Sequence, residues 1–174
     1  MQHEQLVTHI AQVTQDVFGT MLGHGATVVN IKVENGGTGA TDGVAALVGI
    51  AGGWQGTGCV SCGSDFACKL ASQMMMAECG TVNDDVLDAM GEIANMVVGN
   101  IKTHLEDKLG PLALSIPTVV HGRNFATRSV GKHEWTTVEF DCEGNHFSVQ
   151  IMLIESRKPA TIPRGGFAAL HRVS

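Results

Sequence analysis

Between Asn83 and Gly110 the chain carries a pattern that only a long helix satisfies. Val86, Met90, Ile93, Val97 and Ile101 recur at intervals of four, three, four and four residues, which keeps their side chains on one side of an α-helix. Leu87, Ala94, Val98 and Leu105 flank that stripe. Asn83 suits an N-cap, Asp84 and Asp85 suit the positive end of the helix dipole, and Gly110-Pro111 supplies the stop. The expected helix, Asp84 to about Asp107, is roughly 36 Å long. Only a narrow strip of it stays polar. At about 100° per residue, Asp84, Asp88, Glu92, Asn95, Gly99, Lys102 and Glu106 project within roughly 80° of one another. Gly99 within that strip costs roughly 1 kcal/mol against alanine, and a close approach to the backbone would explain it. The strip has the form of a docking ridge.

The rest of the chain alternates between the two periods. Leu6, Ile10, Val13 and Val17 give a helix over about Glu4 to Thr20, closed by Gly19, Gly23 and Gly25. Thr27 to Val33 is β-branched and alternating, a strand. Val44 to Ile50 and Gln55 to Val60 read as a hairpin turning at Gly52-Gly53. Ser64 or Asp65 can cap a helix that buries Phe66, Leu70 and Met74. Leu114 to Val120 reads as a strand interrupted by Pro117, which favours an edge or a bulge. Arg128-Ser129-Val130, Glu134 to Phe140 and Phe147 to Ile154 complete the strands, the last two joined by a turn at Asp141 to Asn145. Three helices and about six strands joined largely by hairpins predict a single α+β domain: an antiparallel or mixed sheet with the helices packed on one face. The domain is expected to span residues 1–154, with 155–174 a C-terminal tail in which Phe167 to Leu170 could dock. The turns at Gly52-Gly53 and Glu143-Gly144 echo one another, the one hint of an internal duplication.

Composition removes several classes of function. A net charge of −6 argues against nucleic acid and anionic membranes as partners. No run approaches the roughly 18 apolar residues of a membrane span, and Met1 to Asp16 lacks the apolar core of a signal peptide. Five cysteines, an odd number, then read as reduced thiols in the cytoplasm.

Glu92 and Asn95 carry the chemistry. A solvated helix face of acids and amides is ordinary, but Asn is a poor helix-interior residue, Gly91 and Gly99 flank the pair, and Asp88 extends the line. A carboxylate can pair with a partner's lysine. A carboxamide can hold a water by donating and accepting at once, adding no charge beside an anion. The two together suit hydrolysis of a phosphorylated group, where positioning and electrostatics dominate.

The run Asp88-x-x-x-Glu92-x-x-Asn95, followed by Pro117, resembles the signature of the CheC/CheX/FliY phosphatases: an acid or serine, a glutamate and an asparagine at these spacings, then a proline some two dozen residues on. The signature occurs once, as in the CheX branch rather than in two-site CheC. Val48 to Gly53, Met74-Met75-Met76, Gly91 to Met96 and Pro117 to Arg123 also resemble CheX blocks in CheX order. The resemblance covers about Glu4 to Ile154, and the tail and the cysteine-rich run Cys59 to Cys68 depart from it. It implies a CheC-like fold and removal of the phosphoryl group from the aspartate of a phosphorylated CheY-type response regulator in chemotaxis. Glu92 would pair with the regulator's lysine and Asn95 would orient the attacking water. Asp88, Gly91, Gly99 and Lys102 would contact the partner, with Pro117 shaping the connection behind the helix. Mg2+ would belong to the regulator, leaving this chain with no metal or cofactor of its own. The resemblance further implies a homodimer joined sheet edge to sheet edge.

Two other readings compete. The same ridge could grip a receiver domain or a second copy without catalysis. Alternatively, Cys59-Val60-Ser61-Cys62, with Cys68, could bind zinc or run redox chemistry. Residues three apart on a strand face opposite sides, no second CxxC exists, and the eight histidines pair nowhere as ligands, so structural thiols are expected. Met74 to Met76, at a helix end, are expected as core and dimer contacts.

Overall fold

The computed structural model describes residues 3–23, 25–35, 41–128, 130–131 and 133–156. Most of the expected tail and the loop 36–40 lie outside the described residues. The elements run α1 (His3–Met21), β1 (Thr27–Asn35), β2 (Thr41–Gly52), β3 (Trp54–Cys62), α2 (Ser64–Met75), α3 (Asp84–Leu109), β4 (Leu112–Leu114), β5 (Thr118–Phe125), β6 (Glu134–Cys142) and β7 (Asn145–Glu155). All strand pairs are antiparallel, in the order β1-β6-β7-β3-β2, with β4 and β5 following one another along the free edge of β2. The strand expected over 114–120 is thus two short ones. Pro117 has no N–H to donate, and the gap is bridged by Ser115, whose N–H donates to the Gly49 carbonyl at 2.9 Å and whose Oγ accepts from the Gly49 N–H at 2.8 Å.

The order of the strands answers the question of duplication. Exchanging β1 with β5, β2 with β6 and β3 with β7 leaves the pairing scheme unchanged, with β3 and β7 meeting at the centre. The two hairpins so exchanged are those that turn at Gly52-Gly53 and at Glu143-Gly144. Glu143 (φ 52°) and Gly144 (φ 78°) both lie in the left-handed region, as a two-residue hairpin with right-handed strand twist requires. The chain is therefore a pseudo-two-fold pair of helix-plus-three-strand units, with α2 and β4 outside the symmetry.

One face of the sheet takes all three helices. Val44, Ala46, Val48, Val60, Val138, Phe140, Val149 and Ile151 point into a core shared with Ile10, Val13, Val17 and Phe18 of α1, Phe66 and Leu70 of α2 and the apolar stripe of α3. The opposite face carries a smaller cluster, Ala45, Cys59, Trp135 and Met152, with Leu47, Phe125 and Ile154 packed around it. Trp135, 3% exposed, and Phe125 stand at the two ends of the connection from β5 to β6. Two sequence expectations fail. Arg128 and Val130 belong to no strand (Ser129 is outside the described residues); they lie in the connection that carries the chain from β5, beside β2, across to β6, beside β7. The N-cap of α2 is Gly63, with no side-chain cap bond, rather than Ser64 or Asp65. Of the methionines expected as contacts, Met74 packs on the core while Met76 is 94% exposed.

Gly58 at the middle of β3 seats α3. A Cβ there would lie 2.5 Å from Cγ2 and 2.8 Å from Cγ1 of Val98, closer than real atoms approach. The helix rests directly on backbone. Gly58→Ala is expected to cost about 1–3 kcal/mol through overpacking, and Val98→Ala in the same chain to recover part of that loss through coupling of neighbours. Urea midpoints of the single and double variants measure this; strict additivity would show that the helix shifts freely.

Candidate functional site

The long helix forms as its sequence predicts. The Asn83 side chain accepts from the Val86 N–H at 3.0 Å, Asp84 and Asp85 occupy the first turn, and Lys108 the last. Val86, Met90, Ile93, Val97, Val98 and Ile101 are fully buried, which leaves the opposite side as the ridge. Asp84, Asp88 and Glu92 are exposed, and Asn95, Gly99, Lys102 and Glu106 are half-buried. Glu92 and Asn95, three residues apart, lie on the same face of the ridge, the amide deeper than the acid.

What half-covers the ridge is the chain itself. The segment from Leu112 to Pro117 runs antiparallel along the flank of α3, held at three points. The Leu112 N–H donates to Glu106 Oε1 at 2.8 Å. The Leu114 Cδ1 lies 3.8 Å from where a Cβ of Gly99 would stand. The Pro117 Cβ lies 3.5 Å from the corresponding point on Gly91, as does Val119 Cγ2. Leu114 is the neighbour of Gly99, at ordinary contact distance, so among the described residues no close approach within the chain requires a glycine there. Gly91 is buried, which corrects its expected place among the partner contacts: it receives Pro117 from inside. Lys102 is tied to Glu106 at 3.0 Å. The Leu112 N–H first, and then the Lys102 ammonium, hold the Glu106 carboxyl below the ordinary carboxylate range. Asp88 stands free of these internal contacts on the exposed part of the ridge.

The symmetry-related helix shows why the site is single. Leu6, Ile10, Val13 and Val17 of α1 are buried with the spacing of Val86, Met90, Ile93 and Val97. On that match Thr8, Gln12, Gln15 and Gly19 stand where α3 has Asp88, Glu92, Asn95 and Gly99. At those four positions the first helix offers a hydroxyl, two amides and a glycine, and its carboxylates, Glu4 and Asp16, stand elsewhere.

The cysteines do not converge. Cys59 lies in the small cluster on the outer face of the sheet, whereas Cys62 and Cys68 lie in the helix-side core. Burial pushes the Cys59 and Cys62 thiols up to about 12. Among the described residues no three His, Cys, Asp or Glu side chains come together as a ligand set. Two histidines do meet, against expectation: His9 of α1 stacks on His104 of α3 with ring centroids 5.3 Å apart. Burial first, then His104 and Lys108, lower the His9 pKa. Both lie on the seam between α1 and α3, and only the tertiary fold joins them. Sequence reasoning also passed over Ser115 and Ile116, which no periodicity marks.

A family model described as chemotaxis phosphatase CheX matches residues 44–141. The chain belongs to the CheX family. The match contains the whole of α3, the segment Leu112 to Pro117 and the pairings of β2 with β3 and β4, while β7 lies beyond it. The CheY-P phosphatase CheX of Thermotoga maritima is 30% identical over 129 residues, 72% of this chain and 79% of that one. Among solved structures, a putative chemotaxis protein of Desulfovibrio vulgaris Hildenborough superposes with a TM-score of 0.76 at 24% identity, covering 86% of this chain and 97% of the other. The Borrelia burgdorferi CheX–CheY–BeF3–Mg2+ complex matches with a TM-score of 0.69 at 24% identity, over 86% of this chain and 98% of the matched one. The fold is thus common to this chain and the two solved structures. No helix among the described residues is long and apolar enough to cross a membrane.

The placement of the thiols gives a direct expectation. At pH 8 Cys59 and Cys62 are protonated and covered, so a thiol reagent such as Ellman's leaves both unmodified in the folded protein and labels them on unfolding. Fast labelling of either in the native state, followed by peptide mapping, would contradict the burial described.

Proposed function

We propose that this chain hydrolyses the aspartyl phosphate of a phosphorylated CheY-type receiver in chemotaxis signalling, with Glu92 and Asn95 as the groups it contributes. The observation that carries the reading is the pairing of an exposed carboxylate with a half-buried carboxamide one turn further along α3, in a chain of the CheX family. The relative from T. maritima, a CheY-P phosphatase, and the CheX–CheY complex of B. burgdorferi support it.

Glu92 reaches into the receiver's active site and pairs with its lysine, which fixes the ridge there by a charge-assisted contact. Asn95 follows. Its Oδ1 accepts a hydrogen bond from the attacking water and its NH2 donates toward a phosphoryl oxygen, so the water is held in line with the bond to be broken. Oxygen of the water bonds to phosphorus, the phosphorus–oxygen bond to the aspartate breaks and its electron pair leaves with the carboxylate, while the protons of the water pass to the inorganic phosphate and from it to solvent. Neutrality matters at this position, because a carboxylate in place of Asn95 would repel the phosphoryl oxygens. Asp88 contacts the receiver on the exposed side of the ridge, while Gly99 and Lys102 border it. Mg2+, which neutralises phosphoryl charge in such centres, is held by the receiver rather than by this chain. Pro117 keeps the segment Leu112 to Pro117, a strap along the helix, against α3 and so keeps Asn95 in place.

Asn95→Ala is expected to lower the rate of phosphoreceiver decay by about a hundredfold or more while leaving affinity nearly intact, since only the water loses its guide. Glu92→Ala is expected to raise KM about tenfold as well as to slow the reaction, because it leaves the receiver's lysine unpaired. Decay of a purified 32P-labelled receiver measures both. Full activity in Asn95→Ala sinks the water-positioning role, and an unchanged KM in Glu92→Ala sinks the lysine pairing.

The protein acts, on this reading, as a homodimer joined through β1. Among the described residues that strand pairs with β6 alone, and Val29, Ile31 and Val33 on it are 51%, 47% and 46% exposed. An open edge with three β-branched apolar residues invites a second strand. Ile31→Lys is expected to halve the mass found by sedimentation equilibrium; a dimer that survives it uses another surface.

A further inference from the structure

Ile116 is 86% exposed, yet it is held more firmly than a surface residue needs to be. The Ser115 N–H donates to the Gly49 carbonyl at 2.9 Å, the Gly49 N–H donates to Ser115 Oγ at 2.8 Å, and that hydroxyl donates to the Ile116 carbonyl at 2.8 Å. Pro117 on the other side has a fixed φ and is packed against Gly91. Both neighbours of Ile116 are therefore anchored, one to β2 and one to α3. A lone exposed apolar residue is ordinary on a protein surface. One braced on both sides and left bare is presented.

Its position follows from the course of the strap. Leu114 meets Gly99 and Pro117 meets Gly91. Asn95 lies one turn from each glycine, so residues 115 and 116 pass beside the turn of α3 that carries Asn95. The side chain stands at the border of the polar ridge, on the side where the ridge is half-covered.

Charge says what such a side chain supplies. The exposed part of the ridge is acidic, with Asp84, Asp88 and Glu92 on it, and the chain carries −6 overall. The phosphorylated aspartate is anionic too, and the receiver's own lysine and Mg2+ take up its charge, so beyond the lysine pair the acidic ridge has little to gain from charge. An uncharged contact, free of that limit, adds affinity. Buried apolar anchors beside a polar centre are the usual source of it. Pre-ordering by the Ser115 bonds lowers the entropy lost when such an anchor docks.

We propose that Ile116 is an apolar docking anchor for the receiver, seated on uncharged surface beside the phosphoaspartate, and that it sets affinity rather than the chemical step. This rests on the receiver-phosphatase reading above and adds to it a residue outside the Asp88–Glu92–Asn95 line.

The test uses the full chain and a phosphorylated receiver over a range of concentrations. Ile116→Asp is expected to raise KM about tenfold, with kcat at saturating receiver changed by less than about twofold; Ile116→Val keeps KM near that of the starting protein. At 86% exposure neither change should disturb the fold, and a thermal melt checks it. An unaltered KM in Ile116→Asp overturns the proposal. So does an unaltered KM combined with a changed mass by sedimentation, which would assign the side chain to contact with a second copy. If the starting protein itself leaves receiver phosphate untouched, the phosphatase reading fails first and the anchor with it. The two failures are therefore distinguishable.

Discussion

The direct contact between α3 and the central strands governs the rest of the molecule. Val98 sits over Gly58 with no room for a single added carbon, and Val86, Met90, Ile93, Val97 and Ile101 follow into the same seam without exposure. A helix so deeply seated can be approached from only three sides. α1 takes one, with His9 against His104 at the rim; α2 takes another; the strap Leu112 to Pro117 takes part of the third. What remains is the ridge. Its narrowness is a consequence of burial on all other sides, and its rigidity follows from the packing of its base.

That geometry explains why an acid and an amide can be useful without a cavity around them. Glu92 and Asn95 project from a fixed rod, at a separation set by the helix and not by a loop. Residues held this way keep their spacing when they enter another protein's site, so the entropy of arranging them is spent in folding and not at the encounter. The CheX-family membership fits such a division, in which one protein holds the phosphoryl group and the other brings the remaining groups to it. The pseudo-two-fold arrangement sharpens the point. α1 offers an equivalent rod on the other half of the molecule, but with Thr8, Gln12 and Gln15 on it. One scaffold thus presents two helix faces of matching spacing and different chemistry, of which only that of α3 is flanked by the segment Leu112 to Pro117.

Much of this was legible in the order of residues, for identifiable reasons. The stripe of α3, its Asn83 cap and its end at Gly110 are local, so periodicity and capping chemistry reach them. The spacing of Asp88, Glu92 and Asn95 is local as well, and so is the separation of Cys59 from Cys62 onto opposite faces of β3. Where local reading failed, a distant partner had decided the matter. Arg128 and Val130 have strand-like neighbours but lie in the connection that crosses from β5 to β6, where no strand among the described residues pairs with them. Gly63 caps α2 because the turn out of β3 delivers it there, ahead of the better capping residues Ser64 and Asp65.

The sequence by itself determined the helix that carries the ridge, the residues on it, the three-helix, mostly hairpin composition of the domain and the family to which the ridge belongs. Each of those depends on residues within a few turns of one another. Only the tertiary structure decided what packs against Gly91 and Gly99, since Pro117 and Leu114 are more than a dozen residues away in the chain. It alone paired β1 with β6 and β5 with β2, turning two similar hairpins into a pseudo-two-fold sheet. It alone carried Ile116 to the side of Asn95. Contacts between distant segments are chosen by how whole elements pack, and that choice is not written at any one position.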